Sequence, residues 1–135
     1  MREILFRGKR IDNGRWVSGS LFTRTTNCYI FPLPVATEAH KAEVDPDTVG
    51  QYTGRKDKNG KRVFEGDILC LFTIWADGTI EPVGVPVIVQ FCENDQCYVL
   101  TTKQGSYYDD FGNYGRPEYY EVVGNAHDNR ELMEV

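Results

Sequence analysis

Residues 47–67 read DTVGQYTGRKDKNGKRVFEGD. Four glycines and five cations stand between two short apolar patches, with one Asn-Gly pair inside. Three chemistries compete for such a stretch. A phosphate-cradling loop needs a Lys followed by Ser or Thr after its glycines, feeding a helix N-terminus. Here Gly50, Gly54, Gly60 and Gly66 lack that spacing, and the residues after Gly60 are KRVF followed by a β-rich run. The phosphate loop fails on both counts. A nucleic-acid contact fits better: Arg55, Lys56, Lys58, Lys61 and Arg62 against Asp57 give a local charge of about +4. Tyr52 and Phe64 flank them, and rings interleaved with cations are the parts of a single-strand groove. The plainer reading is a hairpin tip, Asp57-Lys58-Asn59-Gly60-Lys61, with positive φ at Asn-Gly. Glu65-Gly66-Asp67-Ile68-Leu69 then opens a buried strand: Gly permits a backbone twist and Asp binds nearby amides. The stretch is mainly the corner-turning chemistry of a β-protein.

Working outward, the pattern stays β. Ile4 and Phe6 alternate along residues 3–10, Ile11-Asp12-Asn13-Gly14 supplies a hairpin signal, and Trp16, Val17, Leu21 and Phe22 lie on the return strand. NCYIF (27–31) is a short strand halted by Pro32 and Pro34. TEAHKAEV (37–44) has helix-forming composition, limited by Pro46. ILCLFTIW (68–75), residues 86–91, 96–102 and 119–123 are further strands, and the tail can close in a short helical turn. The predicted core holds Ile4, Phe6, Trp16, Ile68, Leu69, Leu71, Val87, Val89, Phe91, Val99 and Val122. No long window carries a sustained 3.6-residue apolar period, which excludes a helical bundle.

The whole chain of 135 residues, 41% hydrophobic and 13% aromatic, suits one folded domain or two very small ones. Its net charge of −5 repels nucleic acid and anionic membranes everywhere except at a local patch. The apolar run after Met1 is short and broken by charge, and PVGVPVIVQFC (82–92) is far shorter than a membrane span. The expectation is a cytoplasmic protein with no membrane partner. Cys28 and Cys70 sit in apolar strand contexts, and Cys92 and Cys97 could staple a hairpin only where thiols are oxidised.

The residues that carry chemistry are sparse. His40 and His127 lack a Cys or second His at ligand spacing, so no metal or cofactor is expected. His40 beside Glu38 and Glu43 reads as a solvated face. Asp109-Asp110 and the Glu93/Asp95 pair are carboxylates of the kind any acidic surface has. A small hydrolase is the weakest of the function classes. GSYYDDFGNYGRPEYY (105–120) stands out, with six aromatics among glycines and charges. Tyr107, Tyr108, Phe111 and Tyr114 either form a contact surface or belong to a loop folded back on its own core. As a contact surface it would most simply serve a homo-oligomer.

Asp45-Pro46-Asp47-Thr48-Val49-Gly50-Gln51-Tyr52-Thr53-Gly54, Asp57-Lys58-Asn59-Gly60-Lys61 and Glu65-Gly66-Asp67-Ile68 together resemble the signature of the YopX family. The opening Arg2-Glu3-Ile4-Leu5-Phe6-Arg7 and the closing Val122-Val123-Gly124-Asn125 with Glu131-Leu132 match that family's two ends. The likeness therefore runs along residues 1–135 as a single YopX-like domain. It departs at Gly8-Lys9-Arg10, where an aromatic-Asp pair is common, and at Arg130, where Pro is common. The resemblance implies a mostly-β fold of small SH3-like or β-barrel type with long loops and little helix, and a phage or prophage origin. It supplies no catalytic residues. The functions in play are a non-catalytic binding or self-assembling module with a host or phage protein partner, and a nucleic-acid-binding accessory protein using Arg55 to Arg62. The second is disfavoured by the net charge.

Overall fold

A computed structural model describes residues 2–32 and 40–134. The fold is mostly β, and among the described residues the only helices are short 3-10 turns. The chain folds as two compact units, Met1–Gly54 and Arg55–Val135.

The first unit is an antiparallel meander. β1 (Phe6–Lys9), β2 (Trp16–Arg24), β3 (Asn27–Pro32) and β4 (Ala42–Val44) follow one another, and β5 (Gly50–Lys56) carries the chain onward from the far side of β1. Among its described residues the buried apolar side chains are Leu5, Ile30, Ala42, Val44 and Tyr52. The Asp45-Pro46-Asp47-Thr48 segment makes a 3-10 turn that ties down the end of β1. The Asp45 carboxylate accepts from Asp47 N–H at 3.0 Å, and Thr48 Oγ1 accepts from Lys9 N–H at 2.9 Å. Proline at the first position suits such a turn because its missing N–H would be an orphan there.

Two expectations change here. Ile4 is 61% exposed, and Leu5, the residue just before β1, is the buried one. Phe6 and Trp16 are half-buried, and Trp16 packs beneath the Arg7 guanidinium, 4.7 Å from its ring centre. Of the stretch read as helical, residues 37–39 lie outside the described residues and Ala42–Val44 is strand β4. Its pairing with β3 (Cys28 opposite Val44, Ile30 opposite Ala42) overrides the local helix preference.

The second unit opens with β6 (Arg62–Phe64) and then builds a sheet from β7 (Asp67–Ile74), β9 (Val87–Cys92), β10 (Cys97–Thr101), β11 (Tyr107–Asp110) and β12 (Tyr120–Asn125). The order is β11-β10-β9-β7-β12, and β8 (Ile80–Pro82) pairs with the far end of β7. Leu69, Leu71, Val87, Val89, Leu100, Phe111, Tyr120 and Val122 form one buried cluster with Val63. Ile68 and Val99 are also buried, so of the eight predicted core positions in this unit's strands seven are buried and Phe91 is not. Phe91 is 39% exposed because it sits near the hairpin tip, beyond the core, and packs edge-on against Tyr98 at 5.2 Å.

Asp67, read as a binder of nearby amides, is buried and accepts from Phe64 N–H at 2.7 Å. Gly66 beside it has φ +94, a conformation a residue with Cβ resists. Its N–H and C=O bond Val89 and Ala126 across the sheet.

Candidate functional site

The two candidate regions, the cationic hairpin and the Tyr-rich loop, lie in the second unit and are joined by Arg55. Its guanidinium donates to the carbonyl of Phe111 at 2.7 Å and to the carbonyl of Tyr114. It also lies 4.6 Å from the centre of the Phe111 ring and 5.5 Å from that of Tyr120. A planar guanidinium suits this double task, because it stacks on rings while its fork donates in plane. Arg55 therefore holds the loop and is committed inside the fold.

The remaining cations of the hairpin are Lys56, Lys58, Lys61 and Arg62, all exposed. The Lys58 ammonium rests 4.5 Å from the centre of the Phe72 ring. Tyr52 and Phe64, whose rings the groove reading requires, are both buried and closed to base stacking.

The hairpin tip differs in detail from the expected turn. Positive φ occurs at Gly60 (+80) and not at Asn59. Asp57 N–H donates to Lys61 C=O at 2.8 Å and Gly60 N–H to Asp57 C=O at 2.9 Å. This is a four-residue turn closed by a left-handed glycine, with the Asp57 side chain mimicking a further turn of backbone. One Asp57 carboxylate oxygen accepts from Asn59 and Lys61 N–H, each at 2.9 Å, and the other from Val122 N–H on β12, also at 2.9 Å. Asp57 is buried. An Asp before Asn-Gly signals a turn, but nothing local signals the Val122 amide, which comes from 65 residues away.

The Tyr-rich loop divides between its two readings. Phe111 is 2% exposed and meets Tyr120 edge-on at 5.0 Å, so it belongs to the core. Tyr108 and Tyr114 are half-buried against the same cluster. Tyr107 is 62% exposed, on β11, the last strand in its sheet. Its hydroxyl donates to Asp110 at 2.9 Å, and that bond, more than its partial desolvation, pushes its pKa up to about 12. Burial, followed by the neighbouring Tyr108 and Asp109, pushes Tyr114 up to about 12 as well. Asp109 accepts from Asn113 Nδ2 at 2.7 Å and from Asp110 N–H at 2.8 Å, fixing the turn after β11.

His40 and His127 are exposed, and Glu38 lies outside the described residues. Among the described residues no group of three or more His, Cys, Asp or Glu is placed to hold a metal ion, and no helix is long and apolar enough to cross a membrane.

The family model described as YopX protein matches residues 5–134. Among solved structures, the crystal structure of protein EF1440 from Enterococcus faecalis is similar over 98% of this chain and 99% of that one. The identity is 19% and the TM-score 0.53, a likeness that speaks to fold. No curated protein matches the chain.

Proposed function

The chain belongs to the YopX family, and from that premise we propose that it is a non-catalytic binding module that assembles with copies of itself. The observation that carries this reading is Tyr107, an exposed ring on an edge strand whose loop is braced from within by Arg55. A large amphipathic side chain on a pre-ordered segment loses little freedom on binding, which favours contact. The outer edge of β11 also offers backbone groups to an added strand.

Charge supports a second copy as the partner. Asp109 and Asp110 lie on β11, while Lys56, Lys58, Lys61 and Arg62 are exposed on the hairpin. An acidic surface meeting a basic surface of another copy makes a head-to-tail contact, which closes into a ring if the rotation permits. The same proposal takes the chain to be of phage or prophage origin, acting in the host cytoplasm, with SH3-like character. The family signature and the Gly66-Asp67 strand opening support that part. Nucleic-acid binding by Lys56, Lys58, Lys61 and Arg62 is the second reading, favoured by their exposure and opposed by the net charge of −5.

Light scattering across a concentration series tests the first reading, with Tyr107→Ser as the variant, since that ring is outside the core. The expected result is an oligomer that Tyr107→Ser dissociates. A monomer at high concentration overturns self-association, and an oligomer indifferent to Tyr107→Ser moves the interface elsewhere. Fluorescence anisotropy with labelled oligonucleotides over a salt series tests the second. Micromolar binding at about 150 mM salt, lost when Lys56, Lys58 and Lys61 become Glu, would reverse the order of the two.

A further inference from the structure

In the second unit a cleft of about 760 Å³ opens between three segments. β9 contributes Ile88 and Gln90, the β10–β11 turn contributes Thr102 to Gly105, and the chain after β12 contributes His127, Arg130 and Met133. The volume suits a small molecule.

Its lining reverses the sign of the rest of the chain. Lys103 and Arg130 come from separate segments and line the cleft with one carboxylate, Glu134. Neither Lys103 nor Arg130 has an ion-pair partner among the described residues. In a chain of net charge −5, a concave surface with unpaired cations concentrates field toward an anion. The Thr102 hydroxyl is buried at the same cleft and makes no hydrogen bond among the described residues. Buried polar groups in folded proteins almost always have a partner, so this hydroxyl is one that a bound water or a small shift of the turn would satisfy. Ile88 and the buried Met133 give an apolar wall beside these groups, and Gln90 and Gln104 add amides that both donate and accept.

The supports of the cleft are ordered. Thr102 N–H donates to Ser106 C=O and Gly105 N–H to Thr102 C=O, each at 2.9 Å, which sets the turn bearing Lys103. On the opposite wall, Asn129 Oδ1 accepts from Asn125 N–H at 3.1 Å and Leu132 N–H donates to Asn129 C=O at 3.0 Å, which sets the segment bearing Arg130.

We infer that this cleft binds a small phosphate monoester, with Lys103 and Arg130 taking the phosphate and the Ile88/Met133 wall taking the body of the molecule. Arg is suited to phosphate by its fork of donors, and Lys by its point charge. None of the residues assigned to the self-assembly surface lines this cleft.

Isothermal calorimetry and thermal unfolding of the full chain with adenosine 5′-monophosphate test it, with inorganic phosphate and adenosine as the two halves of the probe. The variants are Lys103→Gln with Arg130→Gln, and Lys61→Gln as a control cation outside the cleft. All three positions are exposed, and circular dichroism checks that the fold persists. The expected result is saturable binding with Kd below about 1 mM, weakened about tenfold or more in the double variant. Lys61→Gln leaves it unchanged, phosphate competes, and adenosine binds far more weakly. Absence of saturable binding, equal binding by the double variant, or adenosine binding as well as its monophosphate overturns the assignment.

Discussion

The Asp57 carboxylate accepts a hydrogen bond from the backbone N–H of Val122 at 2.9 Å, locking the hairpin tip onto β12. The same carboxylate holds Asn59 and Lys61 N–H. Because Asp57 and Val122 are both buried, removing the acceptor strands an amide that water cannot reach. Asp57→Ala should destabilise the protein by about 3 kcal/mol, summing a charged hydrogen bond and an unsatisfied donor. Asp57→Asn, which keeps one acceptor oxygen, should cost less. Urea unfolding measures both, and a loss of a few tenths for Asp57→Ala would show that the bond to Val122 contributes nothing.

Arg55 braces the loop that carries Tyr107, so its loss should be felt there first. Arg55→Ala removes two charged donors and the stacking on Phe111 and Tyr120. The expected cost is about 2 kcal/mol. Arg55→Lys keeps the charge without the planar fork and should recover only part of it. Hydrogen exchange should rise across residues 107–114 in both variants. Unchanged exchange there would mean that the loop holds itself.

The tyrosines make the protein sensitive to alkali. Tyr107 and Tyr114 are both raised to about 12 in the folded chain, against about 10 when unfolded. A raised folded value means that the native state favours the protonated ring. That contribution is complete below about pH 10 and is lost as pH rises from about 10 toward 12. Tyr107 and Tyr114 should therefore be among the rings that ionise late in an ultraviolet titration of the native protein. Tyr107→Phe should remove one of the late transitions. Eight rings titrating together near pH 10, with the fold intact, would contradict both hydrogen bonding and burial at these sites.

Much of the β pattern was legible because period-two alternation and turn residues are local signals. Ile68, Leu69 and Leu71 are buried as the run ILCLF demands, and Gly60 and Gly66 carry the positive φ that corners require. The errors arise where a partner in space decides. Leu5, just before β1, is buried and accepts from Tyr52 N–H at 2.8 Å while Ile4 is exposed, and Ala42–Val44 is a strand because β3 offers it a ladder. The cationic cluster was visible as composition, yet which cation is committed internally was not. Arg55 is bound to carbonyls 56 and 59 residues away, a distance that no window of sequence spans. The cleft between Lys103 and Arg130 was equally hidden, since its walls come from three separated segments.

Cys92 and Cys97 are direct partners across the β9–β10 hairpin, with Tyr98 opposite Phe91 beyond them. Opposed residues in an antiparallel pair have Cα atoms about 4.5–5.5 Å apart, inside the range of about 4.4–6.8 Å that a disulfide spans. Both are free thiols and neither is fully buried. Oxidation by a small-molecule disulfide such as oxidised glutathione should therefore join them. The two thiols give up two electrons and two protons, and the oxidant leaves as two reduced thiols. Burial first, then the charges of Asp110 and Asp95, hold the Cys97 thiol above its usual range, so it is mainly protonated at neutral pH. The reaction should be slow at pH 7 and accelerate as pH rises and thiolate forms. Mass spectrometry should show a loss of about 2 Da confined to the peptide pair holding Cys92 and Cys97. Either Cys92→Ser or Cys97→Ser should abolish it. Cys70, whose thiol is also raised by burial and by Glu121, should stay reduced under the same conditions. If glutathione instead remained attached separately at positions 92 and 97, the two thiols would not face one another, and the hairpin register between Phe91 and Tyr98 would have to be revised.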